Sequence, residues 1–203
     1  MKPSELVTVA EVLAAAYAED PVHIWAMPKS ATRLADATEF FVFFLRSMQR
    51  YRWEVFATAD RGAVAVMASV GQFNREYRDG VRYMPTLIRA VSPAAEFFQW
   101  VETFRPKTDH WYLEFIGCLP TYRSRGLGSL LLREILAKAD REGVLTWSWS
   151  SNPRNLNFYR RLGFEVGSEI RRDANTPTVI PIWRQPVPLG QLPIDAEDEK
   201  GGS

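Results

Sequence analysis

The run Arg123-Ser124-Arg125-Gly126-Leu127-Gly128-Ser129 is the part of this sequence best equipped for chemistry. A glycine-bearing turn at a helix start leaves backbone N–H groups pointing outward, with the positive end of the helix dipole behind them. Such a nest binds phosphates. Gly126 and Gly128 lack side chains, so a pyrophosphate could approach the main chain closely. Arg123 and Arg125 add charge-assisted donors. By spacing alone, the run also fits a strand-to-helix turn with two solvated arginines. Two nucleotide motifs are excluded: the third glycine of a dinucleotide fingerprint would fall at Leu131, and no Lys followed by Ser or Thr follows Gly128 as a P-loop requires.

Two further groups stand out. Glu114 is the one carboxylate in the apolar run 111–118. Burial would raise its pKa toward the range useful to a general base, while pairing with an arginine is the competing reading. Asn152, Asn155 and Tyr159 are spaced by three and four, so they share one helix face. Cys118 has no histidine near it in sequence to activate it as a nucleophile, and its strand position suits a small buried residue.

The elements that must position these groups follow from periodicity and punctuation. Ser4 can cap a helix to about Ala18, with Leu6, Val9, Leu13 and Ala16 on one face. Asp20-Pro21 ends it, and residues 20–29 read as an unusually apolar loop. Ser30 can cap a second helix to about Gln49, whose Phe40, Phe41, Phe43, Phe44 and Leu45 need a sheet to pack on. Residues 52–58 and 63–70 read as strands joined by a turn. Two short helices are expected near 86–90 and 94–104, then a strand over 111–118. An amphipathic helix over 127–141 presents Leu127, Leu130, Leu131 and Ile135 and stops at Gly143. A strand over 144–150 precedes a short helix capped by Asn152, with Pro153 in its first turn and Gly163 at its end. Strands over 164–170 and 178–183 complete an α/β (α+β) sheet domain.

Composition narrows the class. Of 203 residues, 46% are hydrophobic and 24% charged, as in a globular domain, and the net charge of +1 shows no basic surplus for nucleic acid or membrane. One cysteine permits no internal disulfide framework, so a reducing cytoplasm is the natural setting. With one cysteine and two distant histidines, His23 and His110, no metal site is expected. Lys2, Glu5 and Glu11 interrupt the N-terminal apolar stretch, unlike a signal peptide. No run approaches the roughly 18 apolar residues that span a bilayer. Residues 1–190 read as one domain and the acidic 191–203 as a disordered tail.

The segment from His110 through Gly128, followed by Asn152, Asn155, Tyr159 and Gly163-Phe164, resembles the acyl-CoA motifs of the GNAT N-acetyltransferase superfamily. That family shows Arg/Gln-x-x-Gly-x-Gly/Ala after its fourth strand, then an Asn, a Tyr on a short helix, and Gly-Phe. The two motifs together cover residues 110–170. The front half is similar to the puromycin-acetyltransferase-like branch in its Asp20-Pro21, its Trp25 and a long insert before the fourth strand. Two departures stand out: the family opens with a strand where this chain has a helix, and Leu119 sits where many relatives are polar.

The resemblance implies a single domain with a mixed, mostly antiparallel twisted sheet of about six strands flanked by helices. The family's fourth and fifth strands splay, and the pantetheine arm of acetyl-CoA lies between them against backbone near Ile116, Gly117 and Cys118. The pyrophosphate lies on residues 123–129, and Asn152 and Asn155 present a polar stripe to the cofactor. A primary amine attacks the thioester directly, without an acyl-enzyme. Glu114 is then the candidate base and Tyr159 the donor of a proton to the departing thiolate. An ordinary boundary aromatic is the other reading of Tyr159.

Trp25, Phe40, Phe44, Tyr83, Trp111 and Trp147 are candidate walls for the acceptor, with simple core filling as their alternative. An aromatic content of 13% favours a small-molecule amine with an apolar body over a polyamine, which would want a carboxylate-lined cleft. A peptide or protein N-acetyltransferase and a non-catalytic acyl-CoA-binding protein are the rival readings. The resemblance is compatible with a monomer or a homodimer.

Overall fold

A computed structural model describes residues 3–49, 53–70 and 94–188. Tyr83, the expected helix at 86–90 and the tail 191–203 lie outside the described residues. Helix α1 (Pro3–Tyr17) buries Leu6, Val9, Val12 and Leu13. Residues 20–29, expected as a loop, contain helix α2 (Pro21–Ala26). The dipeptide that ends α1 also starts α2: Asp20 Oδ1 accepts from the N–H groups of Val22 (2.9 Å) and His23 (3.3 Å), and Pro21 fits a first turn. Helix α3 (Arg33–Gln49) begins three residues after Ser30, and Thr32 hydrogen-bonds Asp36 at its start. Its aromatics divide, with Phe41 and Phe44 buried against α1 and the sheet.

The sheet contains β1 (Glu54–Ala57), β2 (Ala63–Ala68), β3 (His110–Cys118), β4 (Leu145–Ser150), β5 (Glu165–Val166) and β6 (Ile180–Arg184). Their spatial order is β1-β2-β3-β4-β6-β5. Among the described strands only β3 and β4 pair in parallel; the other neighbours are antiparallel. The strand expected over 164–170 shortens to β5 plus a bridge from Ile170 to Val179. Helix α4 (Ala94–Glu102) precedes β3, and helix α5 (Leu127–Glu142) crosses from β3 to β4. A 3₁₀ turn (Pro153–Asn155) leads into helix α6 (Leu156–Arg161).

Helices α1 and α3 cover one sheet face, and α5 and α6 the other. Strands covered on both faces read as continuous apolar runs rather than as alternation. On α5 the buried stripe is Leu131, Leu132, Ile135, Leu136 and Ala139. Leu130, expected on that stripe, is 64% exposed. One position is about 100° of helix rotation, enough to carry it off the sheet-facing side. At the far end of α5, Asp140 holds Arg184 of β6 through two bonds of 2.6 and 2.9 Å, a buried pair that pins helix to sheet.

Two irregularities shape the centre. The β2–β3 register skips Glu114: Val66 faces Phe115 and Met67 faces Leu113. This β-bulge shifts the alternation, so Tyr112 and Phe115 pack on the same face. Beyond it, β3 and β4 part. Their ladder has three register pairs, ending at Tyr112 with Trp147, and Ser148 Oγ then donates to Leu113 O at 2.7 Å. The expected splay is therefore present, between β3 and β4.

Candidate active site

The parting of β3 and β4 opens a cleft of about 1230 Å³. Ligand pockets for one small molecule run to roughly 300–1,000 Å³, so this cleft has room for a donor and an acceptor together. One end is built by the glycine turn. Gly126, at φ 79°, is the N-cap of α5, and no side chain caps that terminus. A Cβ at Gly126 would meet nothing within 4 Å, so the turn faces open space. The first-turn N–H groups, from Leu127 to Ser129, are left as donors for an anion. Ser124 is also left-handed, at φ 62°.

Arg123, Ser124, Gly126, Leu127, Gly128 and Ser129 line this end, with Arg154 and Arg161 from the following helical segment. Arg123 also donates to Ala16 O at 3.2 Å, tying the turn to the end of α1. Arg125 does not line the cleft; its guanidinium lies over the Tyr122 ring, 5.1 Å from the centroid. These donors and uncapped N–H groups suit the phosphates of an acyl-CoA. Asn152 and Asn155 border the same end. The Asn152 side chain is partly committed, since its Oδ1 caps the 3₁₀ turn by accepting from Arg154 N at 3.1 Å.

Glu114, Ile116, Gly117 and Cys118 line the middle from β3, and Tyr159 does so from α6. The bulge leaves Glu114 Oε2 buried without a hydrogen-bond partner among the described residues. Burial pushes the Glu114 pKa up to about 8; the Glu102 carboxylate adds to this, while Tyr112 and Arg105 pull the other way. Tyr159 is 6% exposed, and burial, helped by the Asp20 carboxylate, holds its phenol well above the ordinary range. It therefore stays protonated through neutral pH.

The raised Glu114 pKa carries a stability signature. The folded state holds a proton that the unfolded chain gives up near pH 4.5. The associated stability is fully present below that pH and is lost as pH rises to about 8. Glu114→Gln cannot titrate. Urea unfolding at pH 5 and pH 9 should show wild type losing, relative to that variant, on the order of a few kcal/mol.

The other end of the cleft lies under α1, α2 and α3. It is walled by Met27, Phe40, Phe43, Phe98 and Trp149, and it carries Glu19, Asp20, Asp36 and Glu39. The cleft is therefore carboxylate-lined as well as aromatic, which removes the ground for setting polyamines aside. Four expected walls lie elsewhere. Trp111 is 1% exposed beneath α5 and donates to Glu142 Oε2 at 2.6 Å. Phe44 packs against Trp53 and Phe115. Trp25 packs at a tilt against Phe97, with ring centroids 5.2 Å apart. Trp147 lies on Tyr112, where β3 and β4 are still paired and nothing is open to it. Trp149, two residues along the same face, is past the split and reaches the cleft.

A linked group around Asp20 carried no sequence motif. Ser151 Oγ donates to Asp20 Oδ2 at 2.5 Å, across 131 residues, and His23 Nδ1 lies 3.4 Å from Asp20 Oδ1. Burial pushes the Asp20 carboxyl up, but hydrogen bonds from His23 and Ser151 hold it below the usual range. Tyr17 belongs to the same neighbourhood; its hydroxyl accepts from Ile116 N at 3.2 Å. Asp20-Pro21 was the available signal, and it reads as a helix stop.

Comparison with known proteins places this geometry among acyl-transfer folds. A model of the acetyltransferase (GNAT) family matches residues 91–164. A probable serine/threonine-protein kinase of Dictyostelium discoideum is 33% identical over 63 residues, 31% of this chain and only 8% of that protein. Among solved structures, a histone acetyltransferase HPA2 and related acetyltransferase of Corynebacterium glutamicum superposes with TM-score 0.65 at 18% identity, over 92% of this chain and 94% of that one. Arylalkylamine N-acetyltransferase 2 of Aedes aegypti gives 0.65 at 12% identity, over 92% and 97%. The PaiA N-acetyltransferase of Thermoplasma acidophilum, solved with coenzyme A, gives 0.52 at 12% identity, over 91% and 95%. At these identities the structural likeness shows the fold alone.

Proposed function

We propose that this chain, which belongs to the GNAT acetyltransferase superfamily, moves an acetyl group from acetyl-CoA to the primary amine of a small molecule. The carrying observation is one cleft whose lining combines arginines and an uncapped helix N-terminus with a set of carboxylates and aromatic side chains. Arg123, Arg154, Arg161 and the α5 N-terminus would face a polyanionic donor, while Glu19, Asp36 and Glu39 would face a cationic acceptor. The middle of the cleft holds an acid and a base between them, Tyr159 and Glu114.

In this reading both substrates bind before chemistry, so no acyl-enzyme forms. Holding them together converts a bimolecular attack into a local one. An ammonium near its ordinary pKa of about 10 must first lose a proton. Glu114 is matched to that task because its pKa of about 8 lies close to the working range. Tyr159 supplies a proton to the leaving sulfur, which its protonated phenol can do at any pH near neutrality. Met27, Phe40, Phe43 and Trp149 give the acceptor body an apolar wall. A peptide N-terminus is the second reading. The same carboxylates would suit it, and its distinguishing product is an acetylated peptide.

The test is release of free thiol from acetyl-CoA with a panel of arylalkylamines, diamines, amino acids and peptides. Thiol release with small amines, accompanied by a product mass gain of one acetyl group, is the expected result. Tight CoA binding with no release from any amine would leave a binding protein instead.

A further inference from the structure

We infer that Tyr17 is a catalytic residue, its hydroxyl being the hydrogen-bond donor to the thioester carbonyl oxygen. This rests on the acyl-transfer reading and extends it to a residue that no sequence motif marks. Tyr17 ends α1, which reaches β3 through an unusually close approach. A Cβ on Gly117 would lie 2.7 Å from Ala16 Cβ and 3.3 Å from Leu13 Cδ2. Only glycine lets α1 seat deeply enough for its last residue to touch the opened strand. The Tyr17 hydroxyl then accepts from Ile116 N at 3.2 Å, beyond the point where β4 has left β3.

That bond uses the hydroxyl as an acceptor. Its own proton has no acceptor among the described residues, and the side chain lines the cleft together with Glu114, Ile116 and Tyr159. The ring is held on three sides, by His23 at 4.9 Å, Phe115 at 5.6 Å and Phe41 at 5.9 Å between centroids. The donor is therefore preorganised, which is what stabilising charge developing on an oxygen requires. Burial keeps the phenol protonated, with Tyr159 and Asp20 adding to the effect. The Ile116 N–H bond polarises the hydroxyl further and strengthens it as a donor.

The step balances without a co-reactant. The ammonium first sheds one proton to solvent through Glu114; as the nitrogen lone pair then forms the new C–N bond, the ionised Glu114 takes the second proton from the nitrogen. The carbonyl π pair moves onto oxygen, where the Tyr17 O–H holds it without giving up its proton. The pair returns as the C–S bond breaks, the thiolate takes the Tyr159 proton, and the proton held by Glu114 passes through solvent to restore the Tyr159 phenol.

The experiment measures the carbonyl stretch of [1-¹³C]acetyl-CoA bound to wild type and to Tyr17→Phe, by isotope-edited infrared difference spectroscopy. Calorimetric affinities for acetyl-CoA and for S-ethyl-CoA, a thioether without a carbonyl, accompany it. Wild type should shift the band to lower frequency, and Tyr17→Phe should return it toward the free value. Acetyl-CoA affinity should drop about five- to tenfold, with S-ethyl-CoA affinity unchanged. The turnover number should fall roughly 10²-fold. A wild-type band at the free position overturns the inference without needing any variant. Equal losses for both ligands in Tyr17→Phe also overturn it, since a purely structural role would give them. Wild-type protein that binds neither CoA thioester nor thioether overturns the acyl-transfer reading itself.

Discussion

Tyr159→Phe is expected to lower kcat by about 10²–10³-fold while leaving acetyl-CoA affinity within about twofold. The substitution removes one hydroxyl and keeps the ring, which packs edge-on against Phe158 and Phe164 at 5.0 and 5.5 Å. The fold around it should therefore survive, as a thermal melt would verify. The loss falls on kcat because a proton delivered to the leaving sulfur matters only as the C–S bond breaks. The pH profile separates the two proton carriers. Tyr159 stays protonated across the accessible range, so it contributes no limb near neutrality. A rise in rate through about pH 8 is the expected signature of Glu114 losing its proton, and it should persist in Tyr159→Phe at reduced height. Single-turnover rates equal to wild type would assign the thiolate proton to water.

Gly126→Asp should weaken CoA binding by about 10²-fold or more, measured by calorimetry. The position combines a φ of 79° with open space where a Cβ would project. Asp and Asn tolerate the left-handed region better than other residues with a Cβ. Gly126→Asn therefore isolates the steric part, and a loss of only a few-fold is expected from it. The remaining difference is a carboxylate placed at the end of α5, where N–H groups and Arg123 are set for an anion. Equal affinities for the Asp and Asn variants would mean that no phosphate lies at this turn.

Much of this site was legible because its signals are local. A glycine turn, a cap-proline-glycine helix and a lone carboxylate in an apolar strand each depend on a few consecutive residues. Their spacing survives into the structure at Gly126, at Asn152 with Pro153 and Gly163, and at Glu114. The aromatic walls were less legible, because burial on a sheet face does not follow from residue type. Trp147 and Trp149 share a face, yet only Trp149 reaches the cleft. The difference is where β3 and β4 part, which neither tryptophan encodes.

The sequence alone determined the six strands with their flanking helices, the order of the two motifs, and a glycine turn ahead of a tyrosine-bearing helix. Backbone preference and hydrophobic period set these over windows of ten or twenty residues. Tertiary structure alone decided the bulge at Glu114, the seating of α1 on Gly117, and the meeting of Tyr17 with Ile116 and of Asp20 with Ser151. Those contacts join residues 99 and 131 positions apart. They exist because two helices and two parting strands pack at one set of distances, a condition on the whole sheet rather than on any segment of it.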